Sequence, residues 1–332
     1  MKRYLLFALL LALLAATPFD VAAQKGRKTK KTTKATSTPA PTSTPVSTPV
    51  STRGANTQTF TVNGVSFTMV RVEGGTFTMG ATSEQGSDAY SDEKPAHKVT
   101  VLSFSIGQTE VTQELWRAVM GSNPSEFAPK RADASRCNYD SFVADAKRLN
   151  DKKPGTVRIP SREEWDVAMV TTSGSMKRPV ENVSWDDCQT FIKKLNQLTG
   201  KNFRLPTEAE WEFAARGGNK SRGYKYSGSN NIDDVAWYEK NSYDKGKNSP
   251  DYGTHPVAGK RANELGIYDM SGNVWEWCQD KWYYYDGSSS SGSNRVDRGG
   301  GWDDLAGDCR VSNRNLDSPA NRGNPLGLRL AL

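Results

Sequence analysis

Seven consecutive residues, Gly272–Cys278, begin with a turn glycine and carry two tryptophans, one carboxylate and one cysteine. Tryptophan is bulky, so two in so short a stretch are typical of a filled core or of the wall of a cleft. The residues alternate as in a strand with two unlike faces, one with both tryptophans and one with Val274, Glu276 and Cys278. A carboxylate among apolar neighbours has to be paired, hydrogen-bonded or bound to a cation. The stretch is therefore a catalytic strand, a metal-binding strand or a core strand.

The N-terminus has the pattern of a secretory signal peptide. Lys2 and Arg3 precede an apolar run, Tyr4–Ala16, and small residues follow at Val21–Ala23, where a signal peptide is cleaved. The run is too short for a membrane span. We therefore predict a signal peptide over residues 1–23, export to the periplasm, the cell envelope or the medium, and no transmembrane segment in the mature chain. Residues 24–56 are first basic and then rich in Thr, Ser and Pro, which predicts an extended linker.

The excess of positive charge belongs to the N-terminal tail. The chain has 44 Lys+Arg and 37 Asp+Glu, a formal net charge of +7. Nine of the basic residues and one of the acidic residues lie in residues 1–53, which leaves residues 54–332 with a net charge of −1. A region with this balance lacks the basic surface of a nucleic-acid-binding domain, so we expect no nucleic-acid partner.

Four cysteines in an exported chain favour disulfides, and four allow three pairings. Cys278 and Cys309 lie in the same C-terminal region, which favours that pair and leaves Cys137 with Cys188 by elimination. A two-cysteine zinc site is the weaker alternative, because neither pair is closely spaced and the chain has only two histidines.

Local signals place several secondary-structure elements. The segment 60–72 alternates around Asn63-Gly64, which predicts a hairpin. Thr109–Thr112 opens a helix that runs to Met120, and Gly121–Pro124 ends it. Short strands, few helices and many Gly-rich connections predict an irregular α+β fold.

The folded region, which we place at residues 60–332, contains a local duplication. Tyr139–Ala168 and Trp185–Ala214 align without a gap at an offset of 46 residues, and nine of 30 positions are identical. Both copies predict a helix, a loop with Arg-(Ile/Leu)-Pro and a second helix with a capping box; chance similarity between amphipathic helices is the alternative. Two copies are too few for a solenoid, so we interpret the first, at about residues 127–178, as a duplicated insert within one domain.

Eight motifs stand in one order along the folded region. They are Gly74-Gly75-Thr76-Phe77-x-Met79-Gly80, Pro95-x-His97-x-Val99, Thr109-Glu110-Val111-Thr112, Pro179-Val180-x-x-Val183-Ser184-Trp185, Arg204-Leu205-Pro206-Thr207-Glu208-Ala209-Glu210-Trp211-Glu212, Gly266-x-Tyr268-Asp269-Met270-x-Gly272-Asn273-Val274-Trp275-Glu276-Trp277, Arg298-Gly299-Gly300 and Gly327-x-Arg329. Together they resemble the sulfatase-modifying factor family, the formylglycine-generating enzymes and their relatives, over roughly residues 66–332. The resemblance implies a single domain related to the C-type lectin fold, with little regular secondary structure and with bound calcium.

The enzymes of this family oxidise a substrate cysteine to formylglycine with molecular oxygen and with copper held by two cysteines. In the family's pattern the cysteines follow an aromatic residue after two and seven positions; counted from Trp302, these positions are Asp304 and Cys309. Aligned backwards from Arg314, the loop is three residues shorter, and Cys309 then matches neither cysteine. One thiolate and one hard carboxylate cannot form a two-thiolate site for soft Cu(I). Of the two positions counted from Trp302, only that of Cys309 holds a cysteine, so Cys309 is the candidate catalytic residue. Cys278 is its candidate substitute partner if these two cysteines do not form a disulfide.

The resemblance also implies a calcium site at the opening stretch. The family's ligands correspond to the side chains of Asp269 and Glu276 and to the backbone carbonyls of Gly272 and Val274. Hard oxygen donors around a tight turn suit Ca²⁺. The alternative is a salt bridge between Glu276 and a core arginine such as Arg329, in which case the strand belongs to the core alone.

The sequence as a whole predicts an exported binding or envelope-assembly module that is stabilised by calcium and lacks oxidase activity. We expect its cleft to bind a protein, a peptide or a glycan in the cell envelope through Trp275, Trp302, Asp304 and Arg314. The alternative is an enzyme: a formylglycine-generating oxidase, or a divergent metal-dependent oxidase, that acts on a cysteine of a sulfatase-type protein with copper as its cofactor.

Overall fold

A computed structural model describes five parts of the chain: residues 56–128, 139–152, 158–159, 175–288 and 292–332. The chain divides into two compact units, residues 1–48 with 134–166 and residues 49–133 with 167–332. The predicted signal peptide, the predicted linker up to residue 55 and Cys137 lie outside the described residues.

The described residues form four α-helices and nine β-strands, with short 3-10 helices in the connections. The helices are α1 (Gln113–Met120), α2 (Tyr139–Lys152), α3 (Trp185–Thr199) and α4 (Glu208–Ala215); of these, α2 belongs to the first unit. The strands are β1 (Thr57–Val62), β2 (Val65–Val72), β3 (Gly75–Met79), β4 (His97–Val101), β5 (Phe104–Gly107), β6 (Trp275–Lys281), β7 (Arg295–Arg298), β8 (Arg314–Asp317) and β9 (Leu326–Leu328). This mixture of short helices and strands with irregular connections confirms the predicted α+β class. No helix in the described parts of the chain has the length and apolar character needed to cross a bilayer.

The first sheet contains the predicted hairpin. Asn63 and Gly64 have φ angles of 47° and 82°, the left-handed conformation that a two-residue Asn-Gly turn requires. They connect β1 to β2, and β5 pairs with the other edge of β2, so the strand order is β1-β2-β5. Strands β3 and β4 form a separate antiparallel pair.

Strand β6 lies inside the largest sheet, whose order is β8-β7-β6-β9. It pairs antiparallel with β7 and parallel with β9, so that Glu276 lies opposite Arg298 on one side and Gly327 on the other. Both faces of the strand are buried from Trp275 to Cys278. The predicted strand is confirmed, and it is part of the core on both faces.

Local capping fixes the ends of the helices next to this sheet. The N–H of Leu115 donates to Thr112 Oγ1 (3.3 Å) at the start of α1. Thr207 and Glu210 form the predicted capping box of α4: the N–H of Glu210 donates to Thr207 Oγ1 (3.2 Å), and the N–H of Thr207 donates to Glu210 Oε2 (2.8 Å). Glu110 lies three residues before α1 and contacts Asn273, and Trp211 lies inside α4 and contacts Glu276, so both reach the residues at the start of β6.

Helices α2 and α3 begin at corresponding positions of the two predicted copies, Tyr139 and Trp185. The second helix of the second copy is α4, whereas the matching segment of the first copy lies largely outside the described residues. The duplication and the bounds of the insert therefore stay predictions.

Three clusters of buried side chains form the core of the second unit. The first contains both tryptophans of β6 together with residues of α1 and α3. The second contains Trp211 and Cys278. The third, built around Tyr226 in the connection between α4 and β6, contains Cys309. Strand β6 therefore separates the first cluster from the second.

Candidate functional site

The turn that leads into β6 contains Asp269, Gly272 and Asn273, with φ angles of 58°, 77° and 69°. A Cβ on Gly272 would overlap the backbone carbonyl of Trp237, so only glycine fits this close approach. The N–H of Asn273 donates to the carbonyl of Trp237 (2.8 Å), and the N–H of Trp302 donates to the carbonyl of Asn273 (3.0 Å). The turn thus holds the segments of Trp237 and Trp302 against the start of β6.

Glu276 is fully buried, and both of its carboxylate oxygens are engaged. Arg329 donates from Nε to Oε2 (2.9 Å) and from Nη2 to Oε1 (2.6 Å), and Trp211 Nε1 donates to Oε2 (2.7 Å). Arg329, also buried, donates further to the carbonyls of Gly107 and Tyr268 (2.9 Å each). The structure therefore contains the predicted salt bridge, and a guanidinium takes the place that a cation would have beside Glu276.

Two other buried carboxylates near this ion pair each keep one oxygen without a hydrogen-bond partner. Asp269 accepts from the N–H of Ala258 at Oδ2 (2.6 Å), and its Oδ1 has no partner. Glu110 accepts from Asn273 Nδ2 at Oε2 (2.9 Å), and its Oε1 has no partner. Burial raises the pKa of Asp269 to about 6. Burial, then the charges of Asp269 and Glu276, raise the pKa of Glu110 well above its usual range. Such oxygens call for neutralisation by a proton or by a hard cation.

The donor set fits calcium in part. Asp269 is a predicted calcium ligand, whereas the sequence did not predict Glu110 as one. The only sequence feature that pointed to Glu110 was its place in the motif Thr109–Thr112. Gly272 and Val274, predicted to contribute carbonyls, are buried in the same turn. Over the described ranges, no three His, Cys, Asp or Glu side chains are grouped closely enough to hold a metal by themselves. A calcium ion here would therefore need backbone carbonyls in addition to the two carboxylates.

Trp302 lies at the centre of an aromatic cluster formed with Phe127, Tyr243 and Tyr252. The ring centroids of Phe127 and Tyr252 lie 5.0 Å and 4.8 Å from that of Trp302, both edge-on, and that of Tyr243 lies at 5.8 Å. Trp302 is only 1% exposed, whereas Tyr243 is 46% exposed. The indole N–H of Trp302 is buried without a hydrogen-bond partner. The three surrounding rings were not predicted, because they come from loops without a periodic pattern.

Asp304 joins this aromatic cluster to β6. Its Oδ2 accepts from Trp275 Nε1 (2.6 Å) and from the N–H of Gly301 (2.7 Å). Burial raises the pKa of Asp304, and burial together with the charge of Asp304 raises the pKa of Asp303 to about 6. The structure thus brings together three of the predicted cleft residues, Trp275, Asp304 and Trp302.

Arg314, the fourth predicted cleft residue, lies elsewhere. It donates to Glu208 from Nε (2.6 Å) and from Nη2 (2.8 Å). Its guanidinium lies over the rings of Trp282 (4.2 Å) and Tyr285 (3.9 Å). Arg314 is close to Trp302 in sequence, but β8 directs its side chain to Glu208 of α4, so its hydrogen bonds do not join it to the other three predicted cleft residues.

The predicted disulfide between Cys278 and Cys309 is not formed. Both residues are free and fully buried. Nearness in sequence favoured the pair, but β6 places Cys278 in the second core cluster and the loop before β8 places Cys309 in the third. Burial raises the pKa of both thiols well above the usual range, the opposite of what a reactive thiolate needs. Cys188 is likewise free and buried, and its predicted partner Cys137 lies outside the described residues.

With the fold and the site described, comparison with known proteins identifies the family. Residues 56–332 match the model of the sulfatase-modifying factor enzyme 1-like domain. The chain therefore belongs to the sulfatase-modifying factor family, as its motifs predicted.

Similar proteins carry different names. The chain is 36% identical over 280 residues to the chaperone protein LppX of Paenibacillus barcinonensis, which covers 80% of this chain and 89% of LppX. It is 31% identical over 288 residues to the inactive C-alpha-formylglycine-generating enzyme 2 of Bos taurus, a match that covers 81% of this chain and 89% of that protein. It is 32% identical over 288 residues to the formylglycine-generating enzyme of Streptomyces coelicolor, a match that covers 79% of this chain and 88% of that protein. Family membership alone therefore does not decide between an enzyme and a binding protein.

A solved structure shares the fold. Treponema denticola variable protein 1 superposes with a TM-score of 0.60 at 31% identity, over 83% of this chain and 98% of that one. The irregular fold predicted from the motifs is thereby confirmed.

Proposed function

We propose that this chain is an exported binding or envelope-assembly module, stabilised by calcium, that lacks the oxidase activity of its family. The observation that carries the proposal is that Asp304 stands where the family's enzymes have a cysteine, and that its carboxylate makes structural hydrogen bonds. Counted from Trp302, this position holds a copper-binding cysteine in the family's enzymes. Here its carboxylate accepts hydrogen bonds from Trp275 and from Gly301, so it serves as a scaffold between β6 and the aromatic cluster.

The thiols support the same proposal. Cys309 and Cys278 are buried in separate clusters, and burial raises the pKa of each. Soft Cu(I) needs two thiolates side by side, and these two residues do not fit such a site.

The aromatic cluster supports a binding role. Aromatic rings supply large contact areas at little entropic cost, which is why binding surfaces are rich in them. Tyr243 is exposed beside the buried Trp302, and Asp304, close to Trp302 in the chain, accepts from Trp275 Nε1 with its carboxylate. A peptide or a glycan of the cell envelope is the ligand class that we propose. The similarity to LppX, whose name describes a chaperone, favours a protein ligand.

An assay for aldehyde formation tests the loss of oxidase activity. The full-length protein, supplied with copper and oxygen, is incubated with a Cys-x-Pro-x-Arg peptide, and the peptide is analysed by mass spectrometry. We expect no conversion of cysteine to formylglycine, because no pair of thiolates is available for copper. The formylglycine-generating enzyme of Streptomyces coelicolor serves as the positive control. Copper-dependent conversion by this chain would contradict the proposal.

The second candidate, an oxidase that uses Cys309, is favoured by the 32% identity to the Streptomyces coelicolor enzyme. It requires at least one reactive thiol in the folded protein and Cu(I) binding that Cys309→Ser abolishes. We expect instead that Cys188, Cys278 and Cys309 react with a thiol reagent only after unfolding. The Cys137→Ser variant removes the fourth cysteine from this count.

A further inference from the structure

Arg178 is a half-buried arginine whose side chain has no partner in the part of the chain that the structure describes. Its Nε is buried without a hydrogen-bond partner, and no described side chain forms an ion pair with its guanidinium. The buried arginines of the core differ, because each of them pairs with a carboxylate: Arg298, Arg310, Arg314 and Arg329. Withdrawing a guanidinium from water costs free energy unless it has such a counter-charge. Arg178 is therefore able to bind an anion without first breaking an ion pair.

Glu181 is the charged residue that acts on Arg178, but the two do not form an ion pair. Burial lowers the pKa of Arg178, and the charge of Glu181 opposes this effect. The carboxylate of Glu181 accepts instead from the N–H of Phe127 at Oε1 (2.9 Å) and from the N–H of Glu126 at Oε2 (3.0 Å). Both of its oxygens thus bind the backbone of the loop after α1, and the guanidinium of Arg178 keeps its donors.

The backbone beside Arg178 contains a second polar group without a partner. The N–H of Val257 donates to the carbonyl of Lys177 (3.0 Å), so residues 254–257 lie next to the segment of Arg178. In these residues the hydroxyl of Thr254 is buried without a hydrogen-bond partner. Burial, then the charge of Arg178, lower the pKa of His255 to about 4. His255 therefore adds no positive charge near pH 7.

The same backbone continues into the aromatic cluster. A Cβ on Gly253 would overlap the ring of Phe127, whose own N–H donates to Glu181. The ring centroid of Tyr252 lies 4.8 Å from that of Trp302. Residues 252–257 thus connect the surroundings of Arg178 to those of Trp302.

We propose that Arg178 binds a carboxylate group of the peptide ligand. A planar guanidinium presents its N–H donors in a fork that matches the two oxygens of a carboxylate. A singly charged group balances one guanidinium, whereas a doubly charged phosphate is repelled more strongly by Glu181. The inference rests on the proposed function, because it names the charged group of the ligand that the aromatic cluster contacts.

Titration of the full-length protein with short peptides tests this inference at one atom. The probes are acetyl-Ala-Asp amide, acetyl-Ala-Ala with a free C-terminal carboxylate, and the uncharged acetyl-Ala-Ala amide. The readout is the Nε–H signal of Arg178 in NMR spectra, assigned by its loss in Arg178→Lys. We expect the carboxylate probes to shift this signal and to bind at least about tenfold more tightly than the amide, because charge-assisted hydrogen bonds are the stronger ones. The tighter of the two carboxylate probes shows whether a side chain or a C-terminus supplies the group.

Two variants separate ligand binding from a structural role of the arginine. Arg178→Gln should abolish binding of both carboxylate probes without lowering the urea midpoint of the free protein, because it removes a charge that has no partner. Arg117 is exposed on α1, so Arg117→Gln is the matched control and should bind the probes as the wild type does. A lowered midpoint in Arg178→Gln would assign Arg178 to the structure alone and overturn the proposal.

The choice of probes makes the chemical class of the ligand testable as well. Equal binding of the amide probe, or carboxylate binding that persists in Arg178→Gln, overturns the proposal. Tighter binding of inorganic phosphate, or of glucuronic acid, overturns the assignment to a peptide carboxylate. None of these outcomes involves aldehyde formation, so failure of this inference and failure of the proposed function are distinguishable.

Discussion

Glu276 and Arg329 place two opposite charges in the core beneath the turn that precedes β6, and neither side chain is exposed. Glu276→Gln preserves the shape of the side chain but leaves the guanidinium without its main counter-charge. Breaking a buried pair in this way costs about 3–5 kcal/mol of the free energy of unfolding. We expect the lower end of that range, measured by urea denaturation, because Glu110 and Asp269 lie near enough to Arg329 to compensate in part.

The pair of Arg71 and Glu73 is the matched control. Its hydrogen bond is of similar length (2.8 Å, against 2.6 Å for Arg329 and Glu276), but the two side chains are 56% and 68% exposed. Solvent screens such a pair, so Glu73→Gln should leave the urea midpoint unchanged within error. Equal losses for the two variants would mean that burial does not determine the contribution of Glu276.

At the scale of elements, the turn before β6 requires glycine at position 272 more strictly than at the nearby position 266. Gly272 and Gly266 have nearly the same φ, 77° and 79°, and alanine at either position is strained by about 1–2 kcal/mol. Nothing lies within 4 Å of a Cβ at Gly266, whereas at Gly272 it would overlap the carbonyl of Trp237. We therefore expect Gly272→Ala to cost about 1–3 kcal/mol more than Gly266→Ala in parallel denaturation experiments. Similar losses of stability in the two variants would contradict the close approach of Gly272 to the carbonyl of Trp237.

The elements that the sequence predicted well are those with local causes. An Asn-Gly pair requires the hairpin at Asn63, the capping box of Thr207 and Glu210 starts α4, and the alternation in Gly272–Cys278 gives a strand. Each of these depends on residues a few positions apart, so the pattern itself contains the interaction.

The parts that the sequence did not predict depend on contacts between distant segments. Phe127 and Tyr252 approach Trp302 from two loops that have no periodic pattern. Cys278 and Cys309 are near each other in sequence, yet their side chains enter different core clusters. Only the packing of the complete domain determines such neighbours, which is why the motifs identified the family but not the rings that surround Trp302.

At the scale of the second unit as a whole, several buried carboxyl groups have a raised pKa. Burial raises the pKa of Asp269 to about 6 and that of Glu181 to about 7, and it raises those of Glu110 and Asp297 well above the usual range. In the unfolded chain these groups titrate near pH 4. Between about pH 4.5 and pH 7 the native state therefore binds more protons than the unfolded state, so without calcium its free energy of unfolding falls as the pH rises.

If calcium binds as we propose, it should oppose this loss, because Ca²⁺ would bind the deprotonated carboxylates of Asp269 and Glu110. At one hundred times its Kd, an ion that binds only the folded protein contributes about 2.7 kcal/mol. We expect EDTA to lower the melting temperature of the wild type at pH 7.5 and to have little effect at pH 5, where protons occupy the same oxygens. Asp269→Asn should remove the effect of EDTA at pH 7.5.

Asp297→Asn is the matched control for this calcium prediction. Asp297 is also fully buried and also keeps its Oδ1 without a partner, but its Oδ2 accepts from Asn315 Nδ2 (2.9 Å) in the sheet, away from the turn before β6. Its removal should weaken the pH dependence of stability and leave the EDTA effect intact. If EDTA does not shift the wild-type melting curve at pH 7.5, calcium is not bound there, and protons alone neutralise Asp269 and Glu110 beside the pair of Glu276 and Arg329.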